Sequence, residues 1–498
     1  MLKKLLKEIK NRPFVYSLLA LILTAAFAIR VYRINDLLGF YYDQGRDALI
    51  IWDFLNNHKW FLIGPTTGLA GIFRGPYYYY LIAPFYFLGR GSPIYPDIFL
   101  ILTSIISVGF IYYLGMKIQG RIAGIIAATI ASFSFYIVTG SKWLSNPTPM
   151  LVLSMILVWS MLKVTEGKKW GWPVISFCIG LSLFNFGSSG ELFYVPAVIT
   201  FAIWQRKNLP DLKNLILSIF LFAVTFAPLV FFDFKHGHIL ANNFYQTFVT
   251  EKSFSVSIKS LFLDRTNFYY NVFTKLIFDF RGTLEKIVLG IAALWFLINL
   301  PKYIKNKGYV ILILLLISPV IGLYFFQGNE GVLYDYYMTG YYLIFVLLLS
   351  LVLGDIWRFK IGKLFVLYFL YLFLFANLSI ILPRLKTTSS SESILFFDQK
   401  QAIDWIYKDA GERSFNVDVY VPPVIPYAYN YLFQWLGTYK YHKLPDSNRA
   451  VLLYTLYEVD PPHPERLNAW LDRQKGIGHV IKEEKFGGIT VQERIRIK

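Results

Sequence analysis

The most prominent feature of the sequence is a series of long apolar runs separated by short polar connections. A helix that crosses a membrane needs about 20 mostly apolar residues. The stretch 76–90, PYYYYLIAPFYFLGR, is shorter and contains Pro84, so it predicts a helix at the membrane interface. Eleven other segments predict spans, namely 13–33, 96–116, 121–140, 148–164, 172–187, 192–205, 213–232, 284–300, 308–326, 337–354 and 362–382. The pattern therefore predicts an all-α polytopic membrane protein with about eleven transmembrane helices.

Basic residues flank these runs unevenly. With a cytoplasmic amino terminus, the tail and the short inner connections carry nineteen Lys and Arg, whereas the outer connections 140–147, 187–191 and 327–336 carry only Lys142. This excess of basic residues in inner loops is typical of the positive-inside rule. The net charge of +18 therefore indicates membrane topology and no nucleic-acid partner. Ala26-Phe27-Ala28 resembles a signal cleavage site, but the first run is long enough to span, so we favour an uncleaved anchor.

Three segments remain outside the predicted membrane: a first outer loop (34–95), a second outer loop (233–283) and the tail from 383. We expect a transmembrane domain (1–382) and a small extracytoplasmic α/β domain (383–498). The tail predicts helices at 398–411, 425–437 and 464–475, strands at 415–423 and 450–459, and a hairpin over 479–495. Gly437 is the predicted helix terminator and Gly487-Gly488 the predicted turn.

Composition supports this class of protein. Apolar residues make up 56% of the chain and charged residues only 16%, whereas soluble domains contain about 25% charged residues. The single cysteine, Cys178, excludes an internal disulfide, and no Cys/His cluster has the spacing of a zinc site. The sequence therefore predicts no metal site.

Candidate chemistry concentrates in the first outer loop. Asp43 and Asp47 are four residues apart and share one face of a helix. Arg74 precedes Gly75-Pro76, which prevents a helix from continuing through it. A carboxylate can accept a proton from an attacking hydroxyl, and a guanidinium can bind a phosphate through two parallel hydrogen bonds. The combination suits the transfer of a group from a phosphate-linked donor. The alternative is that Asp43 and Asp47 form a solvated helix face and that Arg74 is an interfacial anchor.

Other polar residues are predicted on the same side. His236 and His238 are candidates for a phosphate contact, with a metal pair or an interfacial role as alternatives, and Asp233 could orient His236. Glu191 is either a site carboxylate or a charge favoured at a helix start. Tyr336 and Tyr337 are either substrate contacts or members of an aromatic belt.

At these positions the sequence resembles the GT-C superfamily, and most closely the bacterial branch related to protein O-mannosyltransferases and the lipid A aminoarabinose transferase. The resemblance covers roughly residues 13–355. The stretch FYYDQGRDAL resembles the acidic motif of the first loop. Three more segments are similar in order: FRGPYYYYLIAPFYFLGRGSP (73–93), the span region 115–150, and PLVFFDFKHGHILANNF (228–244).

The resemblance implies transfer of a sugar from a polyprenyl-phosphate donor to an acceptor on the outer face, the acceptor being a protein, a lipid or a cell-wall glycan. It implies that Asp43 is the base, that Arg74 contacts the donor phosphate, and that His236 lies near the donor with His238 as a substitute. Two departures from the family's pattern leave open whether a divalent cation is required. Gln44 follows Asp43, so any role of a second carboxylate would belong to Asp47 instead. Ser145-Asn146-Pro147 stands where members of the family often have an aspartate.

The sequence thus predicts an inverting glycosyltransferase in which Asp43, Arg74 and His236 line one cavity. Two other functions stay open. A flippase or transporter of lipid-linked saccharides would move its substrate unchanged, and a scaffold or sensor would depend on the tail alone.

Overall fold

The structure is a computed structural model and describes residues 8, 10–68, 71–246, 250, 258–279, 282–325, 332–422 and 425–497. Lys3, Lys4 and Lys7 of the predicted basic tail lie outside the described residues, as do parts of the second outer loop and of the connection 327–336. The chain divides into two compact units. The first comprises Met1–Arg30, Phe61–Tyr78 and Leu100–Leu382, and the second comprises Val31–Trp60, Tyr79–Phe99 and Pro383–Lys498.

The described helices follow the apolar runs closely. In chain order up to residue 385 they are α1 Pro13–Val31, α2 Ile34–Leu37, α3 Tyr42–Asn57, α4 Tyr77–Leu88, α5 Ile94–Ile118, α6 Arg121–Phe133, α7 Phe135–Ser141, α8 Met150–Thr165, α9 Gly171–Leu181, α10 Tyr194–Trp204, α11 Leu212–Lys235, α12 Ile239–Tyr245, α13 Ile258–Lys275, α14 Thr283–Tyr303, α15 Lys307–Phe325, α16 Thr339–Ile356 and α17 Lys360–Leu385. A π-helical turn, Ser182–Phe186, continues α9, and 3-10 turns precede α10 and α16.

Seven of the eleven predicted spans are helices long and apolar enough to cross a membrane. The pair α6 and α7, bent by 64°, forms an eighth candidate. The remaining three apolar helices are shorter: Met150–Thr165, Gly171–Phe186 and Gly190–Trp204. The multi-pass membrane class is therefore confirmed, and the count of eleven spans stays a prediction.

Burial within the first unit separates core helices from lipid-facing ones. In α16, 89% of the most apolar 18-residue stretch is buried inside the protein. This helix forms the centre of the unit, where it packs against α6, α8 and α15. By contrast, only 6% of the corresponding stretch of α11 is buried. A helix that is apolar on all sides yet unburied by protein fits a lipid environment.

The bend between α6 and α7 is held by a buried arginine. Arg30, in α1, is fully buried. Its Nη1 donates to the carbonyl of Ser132 at 3.0 Å, its Nη2 to the carbonyl of Ala131 at 3.2 Å, and its Nε to the hydroxyl of Ser141 at 2.8 Å. Carbonyls at the end of a broken helix lack helical partners. The guanidinium supplies those partners, which stabilises the bend inside an apolar bundle.

The second unit contains the predicted tail elements. Its helices are α18 Phe396–Ala410, α19 Tyr427–Leu436 and α20 Pro464–Lys475, and its strands are β1 Phe415–Tyr420, β2 Leu452–Glu458, β3 Gly478–Phe486 and β4 Ile489–Arg496. The sheet has the order β1-β2-β4-β3, with β1 and β2 parallel and the other pairs antiparallel. The predicted hairpin is confirmed, and its turn lies at Gly487-Gly488. The small α/β fold is therefore confirmed; its extracytoplasmic location stays a prediction.

One predicted helix end is confirmed, because α19 ends at Leu436 and Gly437 is its C-cap residue. The chain then continues through a π-helical turn, Gly437–Tyr441. The turn ends at His442, which has a left-handed φ of 51°. A Cβ at position 437 would lie 2.5 Å from the carbonyl oxygen of Lys443. Gly437 therefore both follows the last residue of α19 and allows close packing.

Segments of the first outer loop form part of the second unit's core. The ring of Tyr431 in α19 contacts those of Phe40, Trp52 and Tyr86, with centroid separations between 5.7 and 6.1 Å. A Cβ added to Gly45 in α3 would lie only 2.3 Å from the backbone nitrogen of Ala428. The helix that carries the acidic motif is thus packed tightly against α19.

Candidate functional site

The segment before α4 holds Arg74 in an extended, hydrogen-bonded loop. The carbonyl of Arg74 accepts from the N–H of Gly64 at 2.7 Å, and its own N–H donates to the carbonyl of Pro65 at 2.9 Å. Pro76 lacks an N–H, so it suits the position just before the first residue of α4. As predicted from Gly75-Pro76, the arginine lies outside any helix.

Asn185 holds the next part of this loop. The N–H of Gly75 donates to the carbonyl of Phe184 at 2.6 Å, and the N–H of Tyr77 donates to Asn185 Oδ1 at 3.3 Å. A Cβ at position 75 would lie 2.2 Å from the same Oδ1 atom. Only glycine therefore allows this approach. Asn185 is fully buried and was missed by sequence reasoning, although a lone amide inside the apolar run 172–187 was its signal.

The Arg74 guanidinium lies among candidate residues from three other parts of the chain. Nη1 donates to the carbonyl of Leu183 at 3.3 Å. Burial lowers the pKa of Arg74 from its ordinary value, while the charge of Glu191 and the hydroxyls of Tyr336 and Tyr337 act in the opposite direction. Within the described residues, no carboxylate lies at ion-pair distance from this guanidinium. The fold thus places Glu191, Tyr336 and Tyr337 near enough to Arg74 for their charges to act on it.

Glu191 is a buried carboxylate held by backbone donors. It lies in the 3-10 turn Gly190–Phe193, in the connection that follows the apolar run 172–187, and is fully buried. The N–H groups of Ser188 and Gly340 donate to its two oxygens at 2.6 and 2.8 Å. Burial raises the pKa of Glu191 to about 7, although these backbone hydrogen bonds and Arg74 act against the rise. The carboxylate therefore joins the connection to the start of α16 and supplies negative charge near Arg74.

Aromatic side chains surround Tyr336, which is half-buried. Its ring lies 5.6 Å from that of Trp143 and 4.9 Å from that of Tyr337, and it stacks on Tyr334 at 5.5 Å. In the same turn Asp335 accepts hydrogen bonds from Lys275 and Tyr136, each at 3.3 Å. The site thus combines a cation with aromatic surfaces, which suits a ligand that has both a charged and an apolar part.

The two histidines lie beyond the end of α11 and are exposed. His236 stacks on Phe232 at 4.0 Å, and Phe232 contacts Phe73, the neighbour of Arg74, at 6.3 Å. The suggestion that Asp233 orients His236 is wrong. Asp233 Oδ2 lies 3.3 Å from Nδ1 of His238 instead, and Oδ1 accepts from the N–H groups of Leu240 and Ala241. The reason is that Gly237 and His238 both adopt a left-handed conformation, which folds His238 back over Asp233.

The acidic motif belongs to the second unit, where Arg46 joins its two carboxylates. Arg46 Nη1 lies 2.9 Å from Asp43 Oδ1, and Nη2 lies 2.8 Å from Asp47 Oδ1. The Asp43 side chain is 57% exposed and the Asp47 side chain 9%. Tyr79 also donates to Asp47 Oδ1 at 2.8 Å. The two carboxylates therefore differ in environment, because Asp43 is accessible to solvent and Asp47 is buried.

Electrostatics reinforce this difference. Burial raises the pKa of Asp47 to about 6, although Arg46 and Tyr79 act in the opposite direction. Burial alone would lower the pKa of Arg46, but Asp47, Tyr79 and Asp43 outweigh it and raise that pKa above its ordinary value. The sequence analysis assigned no role to Arg46, and it missed Tyr79 inside the run of tyrosines at 77–80.

The sequence-predicted residues therefore fall into two groups. Arg74, Glu191, Tyr336 and Tyr337 meet in the first unit, with His236 and His238 in a neighbouring loop of that unit. Asp43 and Asp47 lie in the second unit. The expectation that Asp43 and Arg74 share one cavity stays a prediction. In the described part of the chain, no group of three or more His, Cys, Asp or Glu is arranged to hold a metal ion.

The region of the chain that matches a known protein family begins at Arg74. The sequence matches the family described as dolichyl-phosphate-mannose-protein mannosyltransferase over residues 74–232, a region that ends within α11 and includes Asn185 and Glu191. No curated protein matches the chain in sequence.

The fold resembles solved membrane-enzyme structures over nearly its whole length. ArnT from Cupriavidus metallidurans bound to undecaprenyl phosphate matches with a TM-score of 0.59 and 10% identity, over 97% of this chain and 98% of that chain. The archaeal oligosaccharyltransferase AglB from Archaeoglobus fulgidus, in complex with an inhibitory peptide and a dolichol-phosphate, matches with a TM-score of 0.52 and 10% identity, over 97% of this chain and 74% of that chain. Together these findings confirm the resemblance inferred from the motifs: residues 74–232 match the mannosyltransferase family, and the chain has a fold similar to those of ArnT and AglB.

Proposed function

We propose that this protein is a membrane glycosyltransferase that transfers a sugar from a polyprenyl-phosphate donor to an acceptor on the outer face. The observation that carries the proposal is the environment of Arg74. Its guanidinium lies beside Tyr336, Tyr337 and a buried carboxylate with which it forms no direct ion pair. A cation left without a paired carboxylate suits a phosphate, which a guanidinium binds through two parallel hydrogen bonds.

The similar proteins support a lipid-phosphate donor. ArnT was solved with undecaprenyl phosphate and AglB with a dolichol-phosphate, and the matching family is described by its dolichyl-phosphate-mannose donor. The exposed apolar surfaces of α11 and α14 provide a membrane setting in which a prenyl chain can lie.

The proposed reaction is a direct displacement. The acceptor oxygen attacks the anomeric carbon, a new carbon–oxygen bond forms, and the bond from that carbon to the phosphate oxygen breaks. Asp43 accepts the proton of the acceptor hydroxyl. The polyprenyl phosphate leaves with an additional negative charge, which Arg74 stabilises with help from His236. Attack opposite the leaving group inverts the anomeric centre.

The sequence predicted a catalytic role for Asp47, but in this proposal Asp47 has a positioning role. Its carboxylate is buried and bound by Arg46 and Tyr79, so it cannot reach an acceptor. It instead fixes the Arg46 guanidinium, which in turn holds Asp43 at 2.9 Å. Asp47, Arg46 and Tyr79 are therefore positioning residues for Asp43.

The test compares matched pairs of variants. Membranes containing Arg74→Gln or Asp43→Asn are incubated with undecaprenyl-phosphate sugars labelled in the sugar, and products are followed by mass spectrometry. We expect each variant to lose at least about a hundredfold in rate, the size typical of losing one charge-stabilising or acid–base group. Arg90→Gln and Asp53→Asn are the controls, because both side chains are outside the proposed site and should retain wild-type turnover.

Full turnover by Arg74→Gln and Asp43→Asn would refute the proposed site. Movement of intact labelled donor across the bilayer, with no transfer of sugar, would instead favour a flippase or transporter. A function that is lost on deletion of 384–498 but retained in both first-loop variants would favour a scaffold or sensor.

A further inference from the structure

A polar cavity lies in the second unit, among residues distant in sequence from Arg74 and the acidic motif. It has a volume of about 570 Å³ and is bounded by α20, β2, β3 and β4. This volume is within the range of roughly 300–1,000 Å³ that is typical of small-molecule sites. The cavity is lined mainly by polar side chains, among them Asn468, Asp472, Lys475, His479 and Arg494.

Arg494 is the most buried cation of the cavity, at 3% exposure. Its Nε donates to the hydroxyl of Thr455 at 3.1 Å, and Nη1 donates to the carbonyls of Gln474 and Gly478 at 3.0 and 2.9 Å. Nη2 donates to Oε1 of Gln492. All of these acceptors are neutral, and no described carboxylate lies at ion-pair distance. The charge of Glu483 acts on Arg494 without forming an ion pair with it. The guanidinium is thus rigidly held and has no directly paired anion.

The rim of the cavity offers both donors and acceptors. Lys475 and Asp472 form an ion pair at 2.7 Å. The side chains of Asn468 and His479 are exposed and make no hydrogen bond to any described residue. An amide both donates and accepts, a carboxylate accepts and an ammonium donates. Neighbouring sugar hydroxyls, each of which donates and accepts, match such a mixed set, and the half-buried ring of Tyr457 offers an apolar surface for sugar C–H groups.

We propose that this cavity binds an acidic saccharide, a sugar ring that carries a carboxylate or a phosphate. Arg494 and Lys475 balance the anionic group, while Asn468, Asp472 and His479 bind ring hydroxyls. The site is separate from the proposed transfer reaction, because it shares no residue with it. Its failure would leave the transferase proposal unchanged.

Binding is measured on the purified full-length chain in detergent by isothermal titration calorimetry. The probes are glucuronate, glucose 6-phosphate, glucose and inorganic phosphate. We expect at least one acidic sugar to bind at least tenfold more tightly than glucose, and the first two probes distinguish a carboxylate from a phosphate. Asn468→Ala and Lys475→Gln should each weaken binding at least fivefold, whereas Lys485→Gln, an exposed lysine of β3 outside the cavity lining, should leave binding unchanged.

Three results would overturn the proposal. The first is that neither acidic sugar binds with a dissociation constant below about 10 mM. The second is that glucose or inorganic phosphate binds as tightly as the acidic sugars. The third is that both cavity variants bind like Lys485→Gln. Arg494 is left intact because its hydrogen bonds connect β4 to the end of α20, and the thermal unfolding midpoint of each variant verifies that it is folded.

Discussion

At the scale of single residues, the molecule uses similar charged groups in different ways according to their burial. Asp43 and Asp47 are four residues apart on one helix and share one arginine, yet one is largely exposed and the other is buried. A buried carboxylate costs free energy unless it is paired and hydrogen-bonded. Arg46 and Tyr79 meet that requirement for Asp47. Burial therefore separates an accessible carboxylate from one that is closed to solvent.

The raised pKa of Asp47 predicts a pH dependence of stability. Burial raises this pKa from 3.8 to about 6, so the native state binds the proton more tightly than the unfolded chain does. The contribution of Asp47 to the free energy of unfolding is therefore full below about pH 4 and is lost as the pH rises to about 6. We expect Asp47→Asn to remove this pH-dependent loss of stability. Between pH 4.5 and 7, the thermal unfolding midpoint of the variant should therefore fall less than that of the wild type. The measurement is scanning fluorimetry in detergent.

Asp53 provides a control for this experiment on the same helix. The hydrogen bond from Lys59 lowers the pKa of Asp53, so its contribution to stability changes with pH in the opposite direction. Asp53→Asn should therefore retain the decline in thermal unfolding midpoint that Asp47 causes as the pH rises. An unchanged pH profile in Asp47→Asn would contradict the assignment.

At the scale of elements, close approaches at two glycines decide where the segments that carry Arg74 and Asp43 lie. Gly75 allows its loop to approach Asn185, and Gly45 allows α3 to approach α19. Both approaches are too close for a Cβ atom. The positions of Arg74 and Asp43 thus depend on neighbouring glycines as well as on their own side chains.

Gly45→Ala should destabilise the second unit. The added Cβ would lie 2.3 Å from the nitrogen of Ala428 and 2.4 Å from the carbonyl carbon of Tyr427, and backbone atoms cannot move aside easily. We expect a loss of about 1–3 kcal/mol, the usual cost of overpacking. Gly109→Ala is the matched control, because no atom lies within 4 Å of its added Cβ. Gly109→Ala lies within a helix and should be neutral or stabilise the protein by up to about 1 kcal/mol. Equal unfolding midpoints of Gly45→Ala and Gly109→Ala would contradict the packing argument.

Arg30→Met should weaken the bend between α6 and α7. The change leaves the carbonyls of Ala131 and Ser132 without their guanidinium donors in a buried setting. Each buried group left unsatisfied costs about 1–3 kcal/mol. We expect a lower thermal midpoint in detergent and a lower yield of folded protein. Arg12→Met, at an exposed position just before α1, should unfold like the wild type; an equal decrease in both variants would refute the role of Arg30.

At the scale of the whole molecule, the two compact units do not follow the order of the chain. Residues 31–60 and 79–99 interrupt the first unit in sequence but pack with the tail. The acidic motif is therefore supported by α19, which lies almost 400 residues further along. A small domain gains stability from every apolar surface that it can bury, and the aromatic cluster around Tyr431 supplies such surface.

Deletion of 384–498 should consequently abolish transferase activity although Arg74 is retained. Without α19, the buried face of α3 loses its partner and Asp43 loses its fixed position. Tyr431→Ala tests the same idea with a single change and should lose activity in part. The measurement is sugar transfer in membranes, normalised to the amount of protein. Retention of wild-type turnover by the truncated chain would show that the acidic motif functions without the tail.

The pattern of the sequence was sufficient for much of the fold. The long apolar runs predicted helices such as α11 and α17 to within a few residues, and the tail hairpin was predicted at its turn. These features depend on local periodicity, on apolar length and on turn residues, which are all visible in a single sequence. The end of α19 at Gly437 was also predicted, although the π-helical turn that follows it was not.

The candidate site was predictable only in part. Arg74, Glu191 and Tyr336 were selected from the outer connections, and the fold brings them together. Asn185, Tyr79 and the linking role of Arg46 were not foreseen. Their importance depends on partners more than thirty residues away or on burial, which the local sequence does not encode.

The sequence by itself determined that this is a multi-pass membrane protein with a small α/β tail, because membrane insertion and secondary structure depend on local apolar length and periodicity. The tertiary structure alone decided which carboxylate is accessible, which residues surround Arg74 and which segments of the first outer loop pack with the tail. These properties arise from contacts between distant parts of the chain, where burial and neighbouring charge determine what a side chain can do.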